Sequence, residues 1–163
     1  MSDLADHEHL IQGLTHAHQT IKMLVDAIAP KASILYPGWS IKEFLAHLTG
    51  WDEAGIACIR AYLDKRVAGV PAYRGLNFYN AQSVTEREAL SYEQVYREWE
   101  LAREQLKATL QTVSSENLHT AILSPWGSQT TIAAMIQILI DHADEHEGDL
   151  KKMISPTSDT STS

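Results

Sequence analysis

The sequence predicts an all-α protein: a four-helix bundle with a long crossover between helices two and three. Three observations carry this. Four long segments place apolar residues at intervals of three and four. Two of those segments open on a capping box, "SIKE" at Ser40 and "SYEQ" at Ser91. Nothing strand-like lies between them, and that combination is the pattern of a helical bundle.

The first helix is expected from about Asp3 to Ile28, with Leu10, Ile11, Leu14, Ile21, Leu24 and Ile28 on one stripe and Pro30 as its stop. The second is expected from Ser40 to about Val67, with Ile41, Phe44, Leu48, Trp51, Ile59, Tyr62 and Leu63 inward. In its capping box the Ser40 hydroxyl accepts the Glu43 N–H and Glu43 reaches back. Roughly two dozen residues then separate helices two and three, long for a compact domain. That length returns the chain to the same end and makes helices two and three parallel. Part of it, "LNFYNAQSVTEREA", reads as a short extra helix. The third helix is expected from Ser91 to about Val113, with Tyr92, Val95, Trp99, Ala102, Leu106 and Leu110 on its stripe. The next link holds a Pro-Trp-Gly turn, and the fourth helix is expected from about Thr131 to Met153. Residues 1–154 form a single domain on this reading, and the polar tail 155–163 is expected to be disordered.

Composition narrows the function classes. A net charge of −8 argues against non-specific binding to nucleic acid or anionic lipid, so neither nucleic acid nor membrane is expected as a partner. The single cysteine, Cys58, excludes an intrachain disulfide framework and fits the cytoplasm. Its place inside a helix makes it a packing residue. The acidic start "MSDLADHEHL" does not read as a signal peptide, and no apolar run approaches the ~20 residues of a membrane helix.

The chemistry-bearing residues are histidines on the apolar stripes. In helix four, Leu139, His142, His146, Leu150 and Met153 follow one another by three or four, so both histidines point inward. One turn apart, they can reach one metal ion, as in the helical His-x-x-x-His pair of zinc enzymes. His47 lies three after Phe44 and four before Trp51, which turns it inward as well. Three inward imidazoles make a three-ligand site with open positions. Singly, each is also explained as a hydrogen-bonded core histidine. His18 falls between Leu14 and Ile21 and is read as lining a pocket or hydrogen bonding. His7, His9 and His16 are expected at the surface, and His119 carries no signal.

The acids of "DHADEHEGDL" read first as a solvated face. By spacing, Glu145 and Asp149 are the candidates to orient an imidazole or handle a proton, which makes them the catalytic candidates. Trp51, Tyr62, Trp99 and Trp126 are candidate pocket walls, or plain core.

"WSIKEFLAHLTGWDE" and "DHADEHEGDL" resemble the second and fourth helices of the DinB/YfiT superfamily, whose fourth-helix pattern is His-x-x-x-His-x-Gly-Gln-(Ile/Leu). Here those positions read His142, His146, Gly148, Asp149 and Leu150, with Asp149 where many members have glutamine. The resemblance implies His47, His142 and His146 as ligands of one divalent ion, nickel or zinc. It also implies an up-down-down-up bundle, in agreement with the long second link, frequent homodimers and, in some members, a low-molecular-weight thiol cofactor. The middle region is similar to the ClbS/DfsB-like branch in "LTGWDE", "LNFYNAQSVTEREALSYEQV" and "PWG". That branch includes proteins that hydrolyse a reactive cyclopropane without an obvious metal. Asn80 and Trp126 match positions in it; Asn80 reads as a polar pocket group or as an asparagine capping the link.

Two functions follow as expectations. The first is a metal-dependent enzyme, a hydrolase or thiol-dependent transferase, acting on a small molecule through the three-histidine site. The alternative is a metal-free small-molecule-binding or self-protection protein of the ClbS/DfsB-like type.

Overall fold

The computed structural model describes residues 2–154; the expected disordered tail, 155–163, lies outside them. Among the described residues the long helices are α1 (Ser2–Ala27), α2 (Ile41–Leu63), α4 (Tyr92–Gln111) and α5 (Ile132–Ile154), with a short α3 (Leu76–Thr85) in the crossover. None of them is long and apolar enough to cross a membrane.

Cross-helix contacts give the orientations. Lys42 of α2 donates to Glu88 O just before α4, and Asp52 meets Arg103 further along both, so α2 and α4 are parallel. His7 Nε2 reaches Leu110 O while Tyr96 reaches Asp26, so α1 and α4 are antiparallel. A Cβ on Gly55 would stand 3.3 Å from Leu139 Cδ1 of α5, whereas His47 meets His146, so α2 and α5 are antiparallel. This is the expected up-down-down-up bundle.

A polar layer divides the core. Asp52 and Arg103 are 1 % and 4 % exposed. Arg103 grips the carboxylate with Nε at 2.8 Å and a second nitrogen at 3.0 Å, and donates to Leu14 O at 3.0 Å. On α1 and α4 the flanking residues fall into two apolar clusters, Leu14 and Leu106 in one, Ala17 and Trp99 in the other. On α5 the same division falls between Ile140 and Ala143, at the level of His142.

The structure departs from the sequence reading at several boundaries. The sequence carries α2 to about Val67, but the helix ends at Leu63. Lys65 takes φ 54°, Lys65 N–H bonds Tyr62 O, and Arg66 N–H bonds Ala61 O. That pattern closes a helix with a left-handed residue, here a lysine where glycine is the usual signal. Two short antiparallel hairpins, β1 (Ile34–Tyr36) with β2 (Trp39–Ser40) and β3 (Ala121–Leu123) with β4 (Gln129–Thr131), occupy links read as irregular. Both are too short for an alternation to register in the sequence. Their turns carry Gly38 at φ 80° and Gly127 at φ 92°, a conformation glycine adopts without steric cost.

The capping boxes form. Glu43 accepts the Ser40 N–H at 2.9 Å, and Ser91 and Gln94 exchange bonds at 2.8 and 3.2 Å. Cys58 is buried and donates to Leu123 O, a packing role. The seat of α3 is Gly50: a Cβ there would stand 2.1 Å from Ser83 Oγ, and Tyr79 donates to Gly50 O at 2.6 Å. Only a glycine on α2 lets α3 approach this closely.

Candidate functional site

His47 on α2 and His142 and His146 on α5 meet in the bundle. One ring nitrogen from each lies within 4.8 Å of the others. His146 Nε2 and His142 Nε2 are 2.9 Å apart, and the His47 ring centre is 5.0 Å from that of His142 and 5.5 Å from that of His146. His47 is 3 % exposed, and the other two are half-buried.

The outer nitrogens of two rings are engaged, and the partners determine the tautomers. Trp51 Nε1, which can only donate, bonds Asn80 Oδ1 at 2.7 Å. The same oxygen lies 2.8 Å from His47 Nδ1, so His47 carries its proton there and turns a lone pair on Nε2 toward the cluster. Tyr36 donates its one hydroxyl proton to Asp149 Oδ2 at 2.7 Å. It therefore accepts from His146 Nδ1–H at 2.6 Å, and His146 likewise presents Nε2 inward. Such outer-nitrogen bonding orients imidazoles that ligate metals.

Burial keeps the rings neutral. The His47 pKa falls to about 3, first through desolvation and then through the charges of His142 and His146. That of His146 falls to about 4 through burial and His142. His142 is lowered by burial, opposed by Glu145 and Asp52. Burial and then the bond to Asp149 raise the Tyr36 hydroxyl well above its ordinary value, so it stays a proton donor.

The donor set fits a divalent ion: three neutral imidazoles, two with inward lone pairs already oriented, and space on the open side. His142 completes it when its proton sits on Nδ1. Two cavities of about 450 and 500 Å³ flank the triad and share His47, Asn80 and His142. Tyr36, Trp39 and Asn77 wall the first; Trp51, Leu76, Trp126 and Ile138 wall the second.

The other candidates divide. Asn80 and Trp126 line the cleft, with Trp126 edge-on to Trp51 at 6.2 Å. Asp149 holds Tyr36, so it acts on His146 through the tyrosine. Glu145 lines the outer cavity beside Asp141. His18 faces elsewhere. It stacks on Trp99 at 4.0 Å, in a groove between α1 and α4 lined by Lys22, Arg97 and Lys107. Tyr36 and Trp39 were absent from the sequence reading. Their signal was the Pro37-Gly38 turn between apolar residues in "ILYPGWS".

The family model of the DinB superfamily matches residues 13–150. No curated protein matches the chain. Among solved structures, the chain is similar to the colibactin self-resistance protein ClbS in complex with a dsDNA, with a TM-score of 0.77 and 19 % identity over 90 % of this chain and 94 % of that one. It is also similar to an uncharacterised protein from Escherichia coli UTI89, with a TM-score of 0.76 and 15 % identity over 90 % and 91 %. At these identities the likeness is one of fold.

Two expectations are corrected. The metal-dependent hydrolase or thiol-dependent transferase is not upheld: the comparisons give the DinB superfamily and a fold shared with a self-resistance protein, and neither carries that reaction to this chain. Inward imidazoles specify a geometry able to hold an ion; they do not specify a reaction. The exclusion of nucleic acid is overturned by a structure of this fold solved with dsDNA. Net charge is a sum over the whole chain, and DNA meets only a local surface. With most of its length matched and its fold shared, the chain belongs to the DinB superfamily.

Proposed function

We propose that this is a self-protection protein that captures a reactive small molecule in the cleft over the three histidines. The supporting observation is the cleft's chemistry. Trp39, Trp51, Trp126 and Tyr36 wall it, and neutral imidazoles line its floor. Aromatic walls bury an apolar ligand, and a few fixed polar groups orient it. ClbS is a self-resistance protein solved with dsDNA, which makes duplex DNA a second proposed partner. The proposed setting is the cytoplasm and the proposed assembly a homodimer.

His47, His142 and His146 are the proposed ligands of a divalent ion, nickel or zinc. When bound, the ion supplies a Lewis-acidic coordination point for a donor atom of the captured molecule. The chain's own residues do the rest. Asn80 and Tyr36 hold the rings in register, and the tryptophans exclude water.

The test uses a cyclopropane-bearing DNA alkylator as probe. Titrating the protein should quench tryptophan fluorescence, and expression in a host cell should reduce DNA damage by the probe. Trp51→Ala should weaken both effects. Unchanged fluorescence together with undiminished DNA damage would overturn the reading. Elemental analysis of untagged protein checks the ion: about one nickel or zinc per chain is expected, and close to none in His146→Ala.

A further inference from the structure

The link between α2 and α3 differs in charge from the rest of the chain. Between 60 and 74 it carries Arg60, Lys65, Arg66 and Arg74 against one acid, Asp64, in a protein of net charge −8. Two of its apolar or aromatic side chains, and Phe78 in the first turn of α3, project into solvent: Val67 is 94 % exposed, Tyr73 71 % and Phe78 47 %. Burial is the ordinary fate of such residues, and a contiguous exposed group marks an interaction surface. The Arg74 guanidinium lies 5.4 Å from the Tyr73 ring centre and 5.1 Å from that of Phe78. Beside it opens a concavity of about 810 Å³ lined by Val70, Tyr79 and Gln82.

We propose that this link, with Arg74 and Phe78 at its centre, is a docking surface for duplex DNA; the assignment rests on duplex DNA being a partner of the protein. Charge complementarity selects the occupant. Arg60 and Lys65 are exposed for phosphate, Arg66 is shared with Asp64, and arginine, here Arg74, is a side chain that enters a minor groove. Phe78 is a side chain of the type that wedges between base steps. The neighbouring acids do not cancel the field. Asp64 pairs with Arg66 at 3.2 Å, and Glu86 accepts from Gln82. Asp141 and Glu145 line the cavity that carries the histidines, where they repel phosphate. Short α3 is thus a partition. Asn77, Asn80 and Ala81 face the histidine cleft, and Phe78, Tyr79 and Gln82 face the concavity. Docked there, DNA would lie one helix away from the captured molecule.

The experiment is fluorescence anisotropy of the full chain with a labelled duplex of about 20 base pairs, at about 50 and 200 mM salt. Binding is expected at the lower salt, with a log–log salt slope of about −3, from three to four neutralised phosphates. Arg74→Glu should weaken binding by roughly tenfold or more and flatten the slope. Phe78→Ala should weaken it a few-fold with the slope unchanged. Both side chains are exposed, so helical circular dichroism should match the parent. Lys152→Glu, at the far end of α5, should bind like the parent. Parental affinity in Arg74→Glu, no binding at the lower salt, or tighter binding to single strands would each overturn the surface. The same variant titrated with the alkylator probe separates the two readings. Retained tryptophan quenching alongside failed DNA binding leaves capture standing and removes only the docking surface.

Discussion

At the scale of residues, Tyr36 organises the site without touching its centre. It ties His146 to Asp149, so removing its hydroxyl frees the imidazole to rotate and to change tautomer. Tyr36→Phe is expected to lower nickel or zinc affinity about 10- to 100-fold while leaving the fold intact, measured by competition with a chromophoric chelator. The histidines also set a pH response in the metal-free protein. His18, His47 and His146 have folded pKa values of about 3, 3 and 4, below an ordinary 6.5. Each takes up its proton more readily when unfolded. Stability is therefore level above about pH 6.5 and falls as pH drops toward 4, by up to about 1.4 kcal/mol per pH unit for His47 and by less for His18 and His146, whose rings water partly screens. Urea melts at pH 7, 6 and 5 would measure this. A midpoint unchanged across that range would show that the rings are not buried as described.

At the scale of elements, one close approach seats α3 on α2 and one buried ion pair ties α4 to α2. Gly50→Ala sets a methyl against Ser83, at a cost of about 1–3 kcal/mol for overpacking, offset by about 1 kcal/mol of helix propensity. A net loss is expected in denaturant melts. It should come with weakened metal binding, because α3 carries Asn80 and Asn80 orients His47. Asp52→Ala leaves Arg103 buried and unpaired, so a loss of about 3–5 kcal/mol is expected in the same melts. A loss under about 1 kcal/mol would mean that water reaches the pair.

At the scale of the whole molecule, the triad joins α2 to α5 across the bundle, so an ion bound there couples to global unfolding. Nickel or zinc at about 1,000 times its dissociation constant should stabilise the fold by about 4 kcal/mol, read as a rise in the thermal midpoint. The rise should vanish in His47→Ala, whose site keeps ligands from α5 alone. The molecule is also divided by charge. Between 60 and 74 four cations stand against one acid, whereas α5 carries five acids against Lys151 and Lys152, a local contrast that a single net value conceals.

The sequence by itself determined the bundle, its topology and the register of the three histidines. Helical period assigns each stripe to the interior wherever packing is continuous, and Leu139, His142, His146 and Leu150 lie on one such stripe. A link of two dozen residues already implied the parallel pair. Only the tertiary structure decided what surrounds those rings. Tyr36 reaches His146 across 110 positions of chain, and Asn80 reaches His47 across 33. No periodicity encodes such pairings, because they depend on where two links settle on the assembled helices. The same reason separates His18 from the triad: it is inward on its own helix, but its ring settles on Trp99 in the groove between α1 and α4, away from the face that α1 packs on α5. The end of α2 was hidden too, because a lysine there adopts the backbone that glycine usually announces. Local chemistry writes periodicity and caps into the chain; contacts between distant segments arise only once the bundle has closed.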